Sequence, residues 1–305
     1  MKRRYIGLIV VEAIIIMVLL IGVAVLLILW NRSKSLPALP VVPAFDPALS
    51  ISTPGPSVSP GSALSETSQP CNNILYPMKV GQEWLYQETT TNRTDLLNMS
   101  ILSVNDSQGN VLVKNQSTGN TKEVQVLCNG DAIQNFPFMS VDAEFFESLG
   151  ASNMSSTYNS GILLPSESAF QNNNWALSWE TEYLVSGKTT LNFNEKKVNV
   201  EMTDTPVKLS CQTLASGDAA FEMVTVPAGT FRALKVVCTE QGQVTVKANG
   251  MTFTGLAEGR SNQWFVVDTG LVKMQVEQAT IKVLGVSFSV LTNNNFELLS
   301  FTAVP

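Results

Sequence analysis

Glu180 and Glu182, and the triplet Asp142, Glu144 and Glu147, are the carboxylate groupings that could do acid and base work of the glycoside-hydrolase kind. Period-two geometry places Glu180 and Glu182 on one strand face, and the triplet reads as one surface of a short helix. Neither pattern sets two carboxylates across a cleft, so solvated charge is the better account of both. Asp106-Ser107-Gln108-Gly109-Asn110 offers oxygen ligands and a glycine but lacks a calcium loop's acidic terminus, and reads as a turn. The chain contains no histidine and no Cys-x-x-Cys pair. Serine and cysteine triads, imidazole bases and most zinc sites therefore lose their usual member. No catalytic residue, metal site or cofactor is expected, and the chain reads as a non-enzymatic protein.

Binding chemistry is better represented. Trp84, Trp175, Trp179 and Trp264 could stack on sugar rings, with Trp84 and Tyr86 sharing a strand face. Trp175 and Trp179 would share one too if their strand starts early enough. The alternative for all four is core packing or an aromatic ladder between strands. Asn-x-Ser/Thr triplets at Asn92, Asn98, Asn105, Asn115 and Asn153 would accept glycans in a eukaryotic secretory route, and in a bacterium reflect a Ser/Thr/Asn-rich surface.

These groups must be positioned by strands. Val198, Val200 and Met202 oppose Lys197, Asn199 and Glu201, and Val244, Val246 and Ala248 oppose Gln243, Thr245 and Lys247. Met274 and Val276 oppose Lys273, Gln275 and Glu277, after which the phase slips to Ala279, Ile281 and Val283. A turn or bulge near Glu277-Gln278 produces such a slip. Further strands are expected at Gln82 to Thr90, Met99 to Val104, Val111 to Lys114, Lys122 to Cys128, Leu177 to Val185, Phe221 to Val226, Phe231 to Thr239, Gln263 to Val267, Val286 to Leu291 and Phe296 to Thr302. The expected fold is all-β, an antiparallel meander forming a strongly curved sheet, half-barrel or sandwich. One short helix is expected, Val141 to Leu149, capped by Ser140 and stopped by Gly150, with Phe145 and Phe146 packing on or plugging the sheet. Tyr76-Pro77 leading to Trp84, and Leu164-Pro165 leading to Trp175 and Trp179, could be echoes of one unit, which would divide the domain near residue 160.

All four cysteines lie beyond residue 70, an even number suited to an oxidising compartment. Cys211 continues the apolar face of Val207 and Leu209, and Cys238 that of Leu234 and Val236, which pairs them. Cys128 continues Val124 and Val126 and leaves Cys71 as its partner, one of the three connectivities that four cysteines allow. Each bridge would stabilise by about 3 to 4 kcal/mol in the loop-entropy account.

Ahead of this domain, Lys2, Arg3 and Arg4 form a basic leader, and the apolar run Tyr5 to Trp30 is broken only by Glu12. Its length suits a single membrane crossing with the N-terminus cytoplasmic, since the basic residues before it outnumber Arg32 and Lys34 after it. A bilayer partner through residues 5–30 follows. Gly7 through Glu12 also looks like a type IV prepilin signal cleaved after Gly7, although Pro37, Pro40 and Pro43 would stop a pilin helix early. Residues 35–70 hold eight of the fourteen prolines, so residues 31–70 read as an extended linker. After Lys34 the chain carries 14 basic and 24 acidic residues, a net of 14 − 24 = −10, which excludes nucleic acid as a partner and argues against anionic lipid as the main one.

Three segments look familiar: Tyr76-Pro77-Met78-Lys79-Val80-Gly81-Gln82-Glu83-Trp84-Leu85-Tyr86, Val226-Pro227-Ala228-Gly229-Thr230-Phe231-Arg232-Ala233-Leu234-Lys235-Val236 and Trp264-Phe265-Val266-Val267-Asp268-Thr269-Gly270-Leu271-Val272-Lys273. They resemble uncharacterised bacterial envelope proteins, many known only as domains of unknown function. The resemblance implies a β-rich extracytoplasmic fold from a bacterium and no active residues. Where such families also resemble lipoprotein carriers with a half-open barrel, it implies an apolar ligand. The expected function is a membrane-anchored extracytoplasmic domain that binds an envelope protein or the cell wall, with an apolar-ligand carrier and a minor pilin-like subunit as alternatives.

Overall fold

Uninterrupted alternation becomes strand throughout the computed structural model, which describes residues 71–89, 94–136, 155–193, 196–248, 251–291 and 294–304. The expected membrane segment 5–30, processing after Gly7, the linker 31–70 and the helix Val141 to Leu149 lie outside the described residues. None of the described helices is long and apolar enough to cross a membrane.

The described strands are β1 (Glu83–Thr89), β2 (Thr94–Val104), β3 (Gln108–Asn115), β4 (Thr121–Asn129), β5 (Ala132–Asn135), β6 (Ser155–Gly161), β7 (Ser178–Phe193), β8 (Lys196–Thr213), β9 (Phe221–Val226), β10 (Gly229–Ala248), β11 (Met251–Val266), β12 (Gly270–Val283), β13 (Val286–Leu291) and β14 (Asn294–Thr302). The described α-helix is α1 (Glu167–Asn172). All strands belong to one sheet in the order β5-β4-β3-β2-β1-β14-β12-β11-β10-β8-β7-β6, with β13 beside β12 and β9 beside β10. Strands on both sides of residue 160 are thus members of a single sheet. Its ends nearly meet. Ile133 on β5 donates its N–H to the Leu164 carbonyl at 2.9 Å and accepts from the N–H groups of Leu163 and Leu164 at 2.8 and 3.0 Å. The result is an antiparallel, almost closed barrel.

Bulges supply part of the curvature. Arg260 pairs with Gln278 while the next residue, Ser261, pairs with Val276, so Glu277 is the extra residue of a bulge on β12. That bulge is the phase slip visible in the sequence. Arg260 and Asn262 both reach the displaced Glu277 carboxylate, at 3.0 and 2.6 Å.

Inward-facing residues form two cores. The larger contains the fully buried Tyr76, Trp84, Tyr86, Phe136, Phe170 and Phe265. The smaller lies toward the far ends of the long strands and is built from Tyr183, Val185, Val200, Met202, Val207, Val244, Val246 and Ile281. Cys71 is bonded to Cys128 and Cys211 to Cys238, with Cα separations of 5.3 and 4.1 Å, and all four lie in the larger core.

Two of the family-like segments meet inside this core. The Trp84 indole donates to the Thr269 carbonyl at 2.6 Å, and the Tyr86 hydroxyl donates to the Leu271 carbonyl at 3.0 Å. Tyr76 stacks on Trp84 with ring centroids 4.8 Å apart. Between them Gly270 has φ +112, and a Cβ there would sit 3.2 Å from the Trp84 indole nitrogen and 3.3 Å from the Tyr76 ring. The resemblance therefore falls on a structural buttress.

Asn73 ties three chain segments together from a fully buried position. Its amide donates to the Asp131 and Pro165 carbonyls, both at 2.8 Å, and its Oδ1 accepts the Leu75 N–H at 2.9 Å. Asn73→Ala orphans all three backbone groups and is expected to cost about 2 kcal/mol. The check is the midpoint of denaturant unfolding, and a midpoint equal to that of the parent chain contradicts the role given to Asn73.

Candidate functional site

The carboxylates singled out by spacing are surface charges. Glu180 accepts from Lys208 at 2.6 Å and from the Ser210 hydroxyl at 3.1 Å, and the hydrogen bond from Lys208 is the main reason its carboxyl is held below the ordinary value. Glu182, on the same strand, accepts from the Asn159 amide at 2.6 Å. The Asp106 segment is an Asx turn, in which Asn105 Oδ1 accepts the N–H groups of Ser107 and Gln108, each at 3.1 Å. Asp142, Glu144 and Glu147 lie outside the described residues. Among those described, no group of three or more acidic or cysteine side chains is arranged to hold a metal.

The four tryptophans separate cleanly. Trp84 is fully buried in the buttress. Trp179 is buried with its indole donating to the Leu163 carbonyl at 2.8 Å. Trp264 lies on the outer face but is only 6% exposed. Its indole donates to Glu222 at 2.6 Å, and Lys235 and Lys273 hold their ammonium groups 5.1 and 6.0 Å from its ring centroid. Trp175 differs from the others. Strand β7 begins only at Ser178, so Trp175 sits in the loop after α1 and shares no strand face with Trp179.

Helix α1 is a single capped turn and a half. Ser166 Oγ accepts the Ala169 N–H, the Glu167 N–H reaches the Asp131 carboxylate at 2.8 Å, and Phe170 is the helix's buried residue. The chain then reverses through Asn174 and Trp175, both left-handed at φ +48 and +66. Asparagine tolerates that region, whereas Trp175 costs about 1 to 2 kcal/mol there. Local contacts hold the turn. The Trp175 N–H donates to the Phe170 carbonyl at 2.8 Å, the Gly217 N–H to the Asn174 carbonyl at 2.7 Å, and the Thr213 hydroxyl to the Trp175 carbonyl at 2.5 Å.

Trp175 is thereby placed on the wall of an open cleft of about 610 Å³, shared with Asn174, Gly217, Asp218, Phe221, Arg232, Val266 and Val267. The indole stacks on Phe170 at 5.5 Å and meets Phe221 edge-on at 4.9 Å. The Arg232 guanidinium lies 4.4 Å from the Phe221 centroid and donates to Asp218 at 2.7 Å. Aromatic rings beside a guanidinium, a carboxylate and a primary amide can stack one face of a ligand while binding its hydroxyl or carbonyl groups. No nucleophile and base are paired there. Of these residues the sequence reading picked out Trp175 for binding. Asn172-Asn173-Asn174 was the available turn signal, whereas Phe221, Asp218 and Arg232 come together only through the β9–β10 hairpin.

No protein-family model and no curated protein matches the chain. Among solved structures it is similar to a candidate lipoprotein of Parabacteroides distasonis, at 15% identity over 75% of this chain and 99% of that one, with a TM-score of 0.41. It is also similar to a candidate exported protein of Bacteroides fragilis with a YmcC-like fold, at 11% identity over 76% and 100% of the two chains, with a TM-score of 0.39.

Proposed function

We propose that this chain is a membrane-tethered extracytoplasmic binding module, anchored by residues 5–30, spaced by residues 31–70, and offering the Trp175 cleft to a saccharide of the cell wall. The observation that carries this reading is the cleft itself: a half-buried tryptophan held by strained backbone beside the Arg232–Asp218 pair. A sugar ring matches that set, because its C–H face packs on an indole and its rim of hydroxyls satisfies a guanidinium, a carboxylate and an amide. Closed disulfides at all four cysteines support an oxidising compartment. The apolar-cargo alternative draws no support from the larger core, where Tyr76, Trp84, Tyr86 and Phe136 fill the space between strands.

The test uses the full chain in lipid nanodiscs, titrated calorimetrically with soluble wall-glycan fragments. Trp175→Ala and Arg232→Ala are each expected to weaken binding at least about tenfold, which corresponds to about 1.4 kcal/mol. Trp264→Ala should leave it unchanged. Absence of binding by any fragment, or equal binding by all three variants, rejects the reading.

A further inference from the structure

The far ends of the longest hairpins carry side chains that folding does not explain. Val283 pairs with Val286, so β12 and β13 are joined by the two-residue turn Leu284-Gly285, with φ +52 and +79. Positive φ at both positions is the geometry that favours Asn-Gly or Asp-Gly. In the neighbouring hairpin, where Ala248 pairs with Met251, the two intervening residues in the sequence are Asn-Gly. Leucine at 284 is strained by its left-handed backbone and is also 78% exposed. Val286 and Met251 are 54% and 56% exposed.

Register brings these tips to one rim. Gly255 pairs with Val283, which puts Leu284 level with Thr254, and Met251 lies three residues further out, on the order of 10 Å. Lys247 pairs with Asn199, and the outermost described pair of β7 and β8, Phe193 with Lys196, lies three residues beyond Asn199 on β8. The three rim stretches, 187–201, 243–258 and 280–291, contain Lys188, Lys196, Lys197, Lys247 and Lys282 against Glu195, Glu201 and Glu258, a net of 5 − 3 = +2. The rest of the chain after Lys34 then carries −10 − 2 = −12.

We infer that this rim docks on an anionic lipid surface, with Met251, Leu284 and Val286 entering the headgroup boundary and the net positive charge of the three stretches turned toward the phosphates. Lys188 and Lys247 share Glu201 and Lys282 pairs with Glu258, so the described lysines exceed their carboxylate partners by one, and apolar tips on such a cationic rim are the pattern of an interfacial contact. The charge distribution selects the orientation, because the strongly acidic remainder is repelled by the same surface. The sequence-level objection to anionic lipid came from net charge alone, and the fold segregates that charge. The inference does not depend on the saccharide cleft.

The test is amide hydrogen exchange on the full chain in nanodiscs of phosphatidylcholine, with or without about a third phosphatidylglycerol. Chains that fail to enter discs are removed by flotation, so failure of the anchor is read separately. Tip amides near Met251 and Leu284 are expected to exchange about fivefold more slowly on the anionic discs, and the Met251→Asp, Leu284→Asp double variant should lose that slowing. Leu284→Asn keeps the test independent of misfolding, since asparagine suits the turn: its Tm should rise while lipid protection falls. Exchange indifferent to lipid charge, or protection that survives both sets of substitutions, overturns the inference.

Discussion

Trp84→Ala is expected to lower unfolding stability by about 4 kcal/mol, the range found when a fully buried large aromatic is truncated. Three losses add up at this site. The indole stops donating to Thr269, leaving that carbonyl without its 2.6 Å partner. Tyr76 loses its stacking neighbour and Phe301 its tilted contact at 5.7 Å. The backbone bend at Gly270, shaped to pass the indole, is left beside a cavity. Met223→Ala is the control: its side chain is 66% exposed on β9, and its removal should cost less than about 0.5 kcal/mol. Urea unfolding of both variants decides the matter. Equal costs would mean that Trp84 does not anchor the core, and that the buttress is not what the family-like segments encode.

The parts of this fold that were legible in the sequence are those where one strand face is buried without interruption. Val200 and Met202, or Val124 and Val126, announce their inward face by alternation, and the Glu277 bulge announced itself by a break in phase. Contacts between distant segments leave no such trace. Trp84 and Thr269 are 185 residues apart, and nothing local in either segment names the other. Helix α1 went unseen because six residues with the single buried Phe170 carry too little of a 3.6-residue period to stand out. Trp175 would share a strand face with Trp179 only if the strand started early enough, and the left-handed turn that keeps it out of the strand depends on partners at Phe170, Thr213 and Gly217.

Strand β10 shows the most instructive interruption. Two expected strands, Phe231 to Thr239 and the alternation from Gln243 to Ala248, are one continuous strand, Gly229–Ala248. Between its two apolar runs the inward positions are Glu240 and Gly242, which face Gly259 and Ala257 across β11, with Gly255 next along opposite Val244. A Cβ on Gly242 would lie 2.7 Å from a Val207 methyl, and one on Gly255 would lie 2.9 Å from the Lys282 carbonyl. Tight packing of backbone replaces apolar side chains at this level of the barrel, so the hydrophobic pattern lapses while the strand does not. Along β10 this band separates Cys238 of the larger core from Val244 of the smaller, and its ionisable residue is Glu240.

That group, Glu240, should make the head more sensitive to pH than its surface charges do, and Glu240→Gln should remove the sensitivity. Glu240 pairs with Leu209 on β8 and Gly259 on β11, and its Oε2 lies 3.3 Å from where a Cβ on Gly259 would be. Among the described residues no donor or cation is bonded to it, and burial pushes its carboxyl from 4.5 up to about 7. The sign follows from proton counting. Between pH 4.5 and about 7 the folded chain retains a proton that the unfolded chain has released, so stability falls as pH rises through that window and the penalty is constant above it. A gap of about 2.5 pH units at about 1.4 kcal/mol each sets a ceiling of about 3 kcal/mol, and partial solvent contact reduces the expected penalty to about 2 kcal/mol. Glu201 does not confuse the comparison: hydrogen bonds from Lys188 and Lys247 hold its carboxyl down to about 2, and it titrates alike in parent and variant. Glu240→Gln is therefore expected to melt about 4 to 8 °C higher than the parent at pH 8 and within about a degree of it at pH 4.5. An offset that is the same at both pH values would instead assign the gain to packing, because only a carboxylate that must be desolvated on folding makes the difference depend on proton concentration.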